Sequence, residues 1–178
     1  MKIIPTELDG VYLIAPAILT DKRGYFVKIF NDDVFRRNGM DFELKEHYYT
    51  SSTRGVIRGM HFQVPPCEHT KIVYLLSGTI IDAVLDVRKD SPAYGEYISL
   101  ELHEKNRTAV CIPPGFAHGF KVLSEYAVVG YMQSSVYSPE HDKGVLWDSF
   151  GMDWEIDSPV ISDRDRGFPA LKDFESPF

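Results

Sequence analysis

The stretch Val56-Ile57-Arg58-Gly59-Met60-His61-Phe62-Gln63, closed by Pro65-Pro66 and followed by Lys71, alternates apolar side chains with an arginine and a histidine. Such alternation marks a strand with one buried face. A period of two sets Arg58 opposite Ile57, and puts His61 on the face of Ile57 and Gln63 unless a bulge at Gly59 shifts the register. The proline pair ends the strand, and Lys71-Ile72-Val73-Tyr74-Leu75-Leu76 opens another. A base, a permanent cation and an amine thus come to neighbouring strand ends, a set suited to taking a proton next to a carbonyl in an anionic substrate. The same residues read equally well as a half-buried histidine among surface charges.

Outward from this stretch, strands follow closely over 44–50, 56–63, 71–76, 79–87, 94–102, 108–112, 116–123 and 126–134. Ser77-Gly78 reads as the tightest hairpin, and Lys89-Asp90-Ser91-Pro92 as a further turn. Short strands at this spacing with no helices between them predict an all-β, antiparallel sandwich or barrel of the jelly-roll kind. Towards the N-terminus, Pro16 interrupts an apolar segment from Val11 to Leu19, which makes it an edge strand or a crossing between strands. Asp21-Lys22-Arg23-Gly24 is a turn into a strand over 25–30, followed by one short helix. Asn31, Asp32 or Asp33 caps that helix, Val34 and Phe35 give its apolar side, and Gly39 stops it. Beyond Tyr137 the pattern weakens into loops and a short turn or two packed on the barrel. Residues 1–178 read as a single domain.

Tyr and Phe, with ten and eleven copies, suit short strands, and 44% hydrophobic residues rule out disorder. A net charge of -7 speaks against nucleic acid or a membrane surface as partner, while leaving room for a small anion held by a local arginine cluster. Cys67 and Cys111 match no metal or redox spacing and read as buried free thiols of a reducing cytosol. With no apolar run of membrane-spanning length and no secretion-signal plan, a cytoplasmic protein is expected.

Of the six histidines, His61 and His118 are the candidates for a shared site. A metal-binding jelly roll usually offers two histidines one residue apart on a strand. Here that strand reads His61-Phe62-Gln63, and two ligands do not make a catalytic metal site, so no metal is expected. His118 follows the rigid turn Pro113-Pro114-Gly115 and gains interest if its strand lies beside that of His61. Tyr131 shares a face with Ala127 and Val129 that should point inward, placing a phenol in the barrel. Asp163 and Asp165 would ordinarily be solvated turn residues, yet a buried carboxylate is what a catalytic histidine needs to fix its tautomer.

Asp21-Lys22-Arg23-Gly24-Tyr25-Phe26, Arg58-Gly59-Met60-His61-Phe62-Gln63, Pro113-Pro114-Gly115-Phe116-Ala117-His118-Gly119-Phe120, Tyr137-Ser138-Pro139-Glu140 and Ile161-Ser162-Asp163-Arg164-Asp165 together resemble the dTDP-4-dehydrorhamnose 3,5-epimerase family, in the same order over nearly the whole chain. The resemblance implies a metal-free and cofactor-free cupin jelly roll, a homodimer whose N-terminal strands add to the partner's sheet, and a nucleotide-diphosphate 4-keto-6-deoxyhexose as substrate. It implies His61 as general base, Asp165 as the carboxylate orienting it, Tyr131 as the acid on the opposite face, and Lys71 at the enolate oxygen. His118 lines the same pocket, Arg58 and Arg23 hold diphosphate or sugar, and Tyr137 stacks on the nucleotide base.

The chain departs from the family pattern at Glu46 and Tyr48, where glutamine and asparagine are usual, and at Lys28 for a glutamate, His69 for a glutamine and Tyr74 for an arginine. These changes are read as a changed nucleotide-facing shell. A CDP- or GDP-linked sugar, or inversion at one centre only, is therefore an alternative expectation.

Overall fold

A computed structural model describes residues 1–178. Its strands are β1 (Lys2–Pro5), β2 (Tyr12–Ala15), β3 (Ala17–Asp21), β4 (Gly24–Lys28), β5 (Glu46–Thr53), β6 (Ile57–Gln63), β7 (Lys71–Ser77), β8 (Thr79–Asp86), β9 (Tyr97–His103), β10 (Ala109–Ile112), β11 (Phe116–Val122), β12 (Tyr126–Gln133) and β13 (Asp142–Gly144). Helices are limited to α1 (Asp32–Arg37), α2 (Asp163–Arg166) and a 3₁₀ turn at Leu171–Asp173. A six-stranded sheet, in the order β1-β2-β10-β7-β12-β5, faces a five-stranded sheet, β13-β6-β11-β8-β9. All pairings within them are antiparallel. This is the expected cupin-type jelly roll with a short N-terminal helix and a C-terminal extension.

Apolar side chains alternate off both sheets into the space between them. Val73, Leu75, Val129 and Tyr131 from the six-stranded sheet meet Ile80, Val84, Phe116 and Phe120 from the five-stranded one. Each sheet is also covered on its outer face. Residues from Phe30 to Phe42 lay α1 over Ile14, Ile72 and Ala109, and the C-terminal segment packs Val145, Phe150, Trp154 and Phe178 over Ile57, Met60 and Phe62. β11 and much of β8 are buried on both faces, β11 even at His118 and Lys121. Helix α1 is capped as its sequence predicts, with the Asn31 side chain accepting from the Val34 N–H.

Two local readings are corrected and a third, at Pro16, is resolved as a crossing between strands of different sheets. Ser77-Gly78 is no hairpin, because β7 and β8 belong to different sheets and Gly78 carries the chain across between them. Its φ of +93° and the Tyr126 carbonyl, 2.3 Å from where a Cβ would stand, leave only glycine room there. Pro16 divides its segment into β2, in the large sheet, and β3, which pairs only with β4. Cys67 is only half-buried, unlike Cys111, though both are free.

The decisive local feature is the register of β6. His61 and Arg58 face His118 and Phe120 of β11, so three steps on β6 match two on β11. The extra residue is the bulge that the glycine allows. As a result Ile57, Met60 and Phe62 enter the outer core, and His61 no longer shares a face with Ile57. Gly59 holds φ +130°, and an added Cβ would lie 2.5 Å from the Gly119 Cα. Gly59→Ala should therefore lose about 1–3 kcal/mol more, from forced overpacking, than Gly151→Ala, where φ is also positive but nothing lies within 4 Å. Paired chemical denaturation curves measure that difference.

Candidate active site

A bulge that leaves a glycine unpaired on its own strand has a use for the freed backbone group. The Gly59 N–H donates to Asp165 Oδ2 (3.1 Å), and His61 Nε2 donates to Asp165 Oδ1 (2.9 Å). Asp165 is presented by α2, whose start is capped by Ser162 Oγ accepting from the Asp165 N–H. Burial alone would push the Asp165 carboxyl up, but the hydrogen bonds from His61 and Gly59 outweigh it and hold it below the usual carboxylate range. Burial likewise lowers the His61 pKa, against the raising effect of Asp165. Its imidazole is consequently neutral at neutral pH. With Nε2 committed to the carboxylate, Nδ1 keeps its lone pair for a substrate proton.

His118 is the direct cross-strand neighbour of His61 and is buried. Its Nε2 donates to Asp82 Oδ2 (2.7 Å), so a second imidazole–carboxylate pair lies beside the first. Asp82 is absent from the candidates drawn from sequence, yet it left a signal. It is a carboxylate amid Ile80, Ile81, Ala83 and Val84, and burying a charge costs heavily unless it finds a partner.

Lys71 comes from β7 in the opposite sheet, not from the end of a strand beside β6 as the sequence suggests. Its side chain is buried at 7% exposure and forms no ion pair. Burial lowers its pKa to about 8, and the charges of Asp142 and Asp82 hold back a larger fall. A mostly charged ammonium is therefore aimed into the interior with its hydrogen-bonding capacity unspent.

A cavity of about 320 Å³ joins His61 and Lys71 to Glu46, Tyr48, His69, Gln133, Tyr137, Asp142 and Arg164. That volume is at the lower end for small-molecule sites. A deeper extension adds His118. Glu46 accepts from the Tyr137 N–H (2.8 Å), which holds the mouth segment in place. His69 is kept neutral, its pKa lowered to about 3 by burial and by Lys71. Arg164, Gln133 and Asp142 were not singled out from sequence. Arg164 pairs with Asp142 (2.9 Å) at the cavity wall.

Tyr131 points into the barrel as predicted, its ring 6.4 Å from that of His118, and burial raises its pKa well above the ordinary phenol value. Its hydroxyl has one neighbour, Thr50 Oγ1 at 3.4 Å. Arg58 is exposed, donates to Ser52 Oγ (2.9 Å) and lies close enough for its charge to act on Tyr131. Arg23 and Lys28 are not brought to the cavity. They sit on the β3–β4 ribbon, where Arg23 pairs with Asp21 of its own turn. Tyr74 is on the outer face of its sheet, hydrogen-bonded to His47 (2.8 Å). The substitutions thus separate: Glu46, Tyr48 and His69 line the cavity that holds His61 and Lys71, while Lys28 and Tyr74 do not.

The profile of the dTDP-4-dehydrorhamnose 3,5-epimerase family matches residues 5–173. A dTDP-4-dehydrorhamnose 3,5-epimerase of Methanothermobacter thermautotrophicus is 40% identical over 177 residues, covering 97% of this chain and 95% of that protein. Among solved structures, dTDP-6-deoxy-D-glucose-3,5-epimerase of Legionella pneumophila in complex with dTDP-4-keto-L-rhamnose is 30% identical, with a TM-score of 0.92 over 98% of this chain and 94% of that one. A 3'-monoepimerase from Streptomyces bikiniensis in complex with dTDP-quinovose is 31% identical, with a TM-score of 0.90 over 95% and 87% of the two chains.

Proposed function

Since this chain belongs to the dTDP-4-dehydrorhamnose 3,5-epimerase family, we propose that it inverts C3, C5 or both in a nucleotide-diphosphate 4-keto-6-deoxy sugar, through an enolate. The observation that carries this reading is one cavity holding a neutral imidazole with a free nitrogen and an unpaired ammonium. A C4 ketone acidifies the hydrogens on C3 and C5. His61 takes one of them through Nδ1, and Asp165 supports the imidazolium that results. The electron pair moves onto the ketone oxygen, where the buried Lys71 ammonium stabilises it. A proton returned to the same carbon on the face away from His61 inverts the centre, and Tyr131 is the expected donor. The oxidation state of the sugar is unchanged from start to finish, so the chemistry calls for no redox cofactor.

Two departures, Tyr48 and His69, bear on the sugar more than on the nucleotide, because they share the cavity with His61 and Lys71, while Glu46 holds the Tyr137 backbone at its mouth. This favours a dTDP-linked substrate with an altered sugar or a single inverted centre over a different base. Arg58 stands where it can meet the diphosphate outside that cavity, and Tyr137, 54% exposed at the mouth, can stack on the base. Residues 1–178 act as one jelly-roll domain, and two free thiols suit a cytoplasmic setting.

A homodimer accounts for the β3–β4 ribbon. β1 and β2 are taken up by their own sheet, which leaves this ribbon paired with no other strand and exposing Leu19, Tyr25 and Phe26. Docked on a second copy, it would cover those side chains and carry Arg23 and Lys28 towards the partner's cavity. Phe26→Asp should shift the sedimenting species from dimer to monomer at micromolar concentration; an unchanged monomer for both proteins would remove the dimer.

The reaction is tested by solvent deuterium incorporation into dTDP-4-keto-6-deoxyglucose, read by NMR at C3 and C5. Label at C3, at C5 or at both is expected, and His61→Ala should lose it by about 10²-fold or more. Tyr131→Phe should retain exchange while net inversion falls. Absence of any label with the wild-type protein would refute the reading for this substrate.

A further inference from the structure

Tyr48 lies directly across the β5–β12 pair from Tyr131, and the two rings stack, with centroids 4.8 Å apart and planes at 19°. The two phenols differ in what they face. Tyr48 is 37% exposed and lines the cavity with His61 and Lys71, whereas Tyr131 is 5% exposed beneath it. The Tyr48 oxygen accepts a hydrogen bond from the buried Gln133 side chain (2.8 Å), so its own O–H is free to point elsewhere. Tyr131 has only the Thr50 hydroxyl at 3.4 Å.

We propose that Tyr48 is a second proton donor of this site, returning a proton to a ring carbon on the face away from His61. This rests on the epimerase reading above. Three features fit a donor better than a packing residue. The phenol is protonated at neutral pH, as an unperturbed tyrosine is, and partial burial only moves its pKa further up, to about 12. The phenolate left after donation keeps the Gln133 N–H, a hydrogen bond that strengthens to a charged oxygen. The ring is also 37% exposed, so water can reprotonate it directly, whereas Tyr131 is 5% exposed.

The step balances as follows. His61 Nδ1 takes the proton of a C–H bond beside the ketone, and that bond's electrons become the enolate. The enolate carbon then forms a new C–H bond with the Tyr48 hydroxyl proton, the carbonyl re-forms, and a phenolate remains. Water restores the phenol, and the imidazolium returns its proton to water. With two phenols on one wall, the two carbons flanking the ketone need not share a donor.

The test compares Tyr48→Phe, which keeps the stacked ring and removes only the hydroxyl, with the wild-type protein on dTDP-4-keto-6-deoxyglucose in deuterium oxide. Exchange and net inversion are followed separately at C3 and C5. In Tyr48→Phe, exchange should stay within a few-fold of wild type while net inversion at one carbon falls by about 10²-fold. Unchanged inversion at every carbon that the wild type inverts would overturn the proposal. So would exchange and inversion falling together, which would mark Tyr48 as structural. A wild-type protein that neither exchanges nor inverts would refute the epimerase reading itself, and this proposal with it.

Discussion

An ammonium group held inside a protein with no carboxylate in contact is an expensive arrangement, costing on the order of several kcal/mol in lost hydration. Lys71 is such a group, and the architecture around it makes the arrangement tolerable. It enters at the start of β7, between β10 and β12 of a sheet whose outer face is sealed by α1 and its flanking segments. Asp82 and Asp142 act on it through space, and neither pairs with it, since His118 and Arg164 occupy them. The two carboxylates thus preserve the charge without quenching it. In the proposed reaction an incoming enolate oxygen is the partner that satisfies it, so the cost borne on folding would become transition-state stabilisation.

His61, the proposed base, is aimed by an equally local device. One extra residue in β6, allowed by Gly59, turns His61 inward and frees a backbone N–H. Both then converge on Asp165, which reaches the site from α2 near the end of the chain. The C-terminal segment therefore does two things: it seals the outer face of the five-stranded sheet, and it delivers the carboxylate that fixes the imidazole. Opposite, β5 and β12 set two aromatic rings side by side on the inner wall. The proposed acid, base and cation come from both sheets, so the geometry of the site is the geometry of the sandwich.

Much of this was legible in the sequence for identifiable reasons. Strands covered on one or both faces announce themselves by alternation or by unbroken apolar runs, and Asn31 and Pro16 act through local backbone chemistry alone. Where reading stopped, the deciding contact was distant. Ser77-Gly78 has the composition of a hairpin, but which sheet receives the next strand depends on packing, not on the turn residues. The facing of His61 depended on a bulge that glycine permits without requiring. Asp82, Gln133 and Arg164 are ordinary residues until the fold gives them His118, Tyr48 and Asp142 as partners. The motif resemblance points to Tyr131, whereas Tyr48 is a departure from the pattern whose stacking on Tyr131 no local sequence signal gives.

The pH dependence of kcat/KM addresses the central claim most directly, because base and cation must hold opposite protonation states together. His61 must be neutral, and its lowered pKa places the acidic limb below its ordinary value of 6.5. Lys71 must be charged, and its pKa of about 8 places the alkaline limb there. A bell between these limbs, whose alkaline side moves well upward in Lys71→Arg, is the predicted result. A flat profile through pH 8 and beyond, or an alkaline limb that stays in place when Lys71 is replaced, would contradict it.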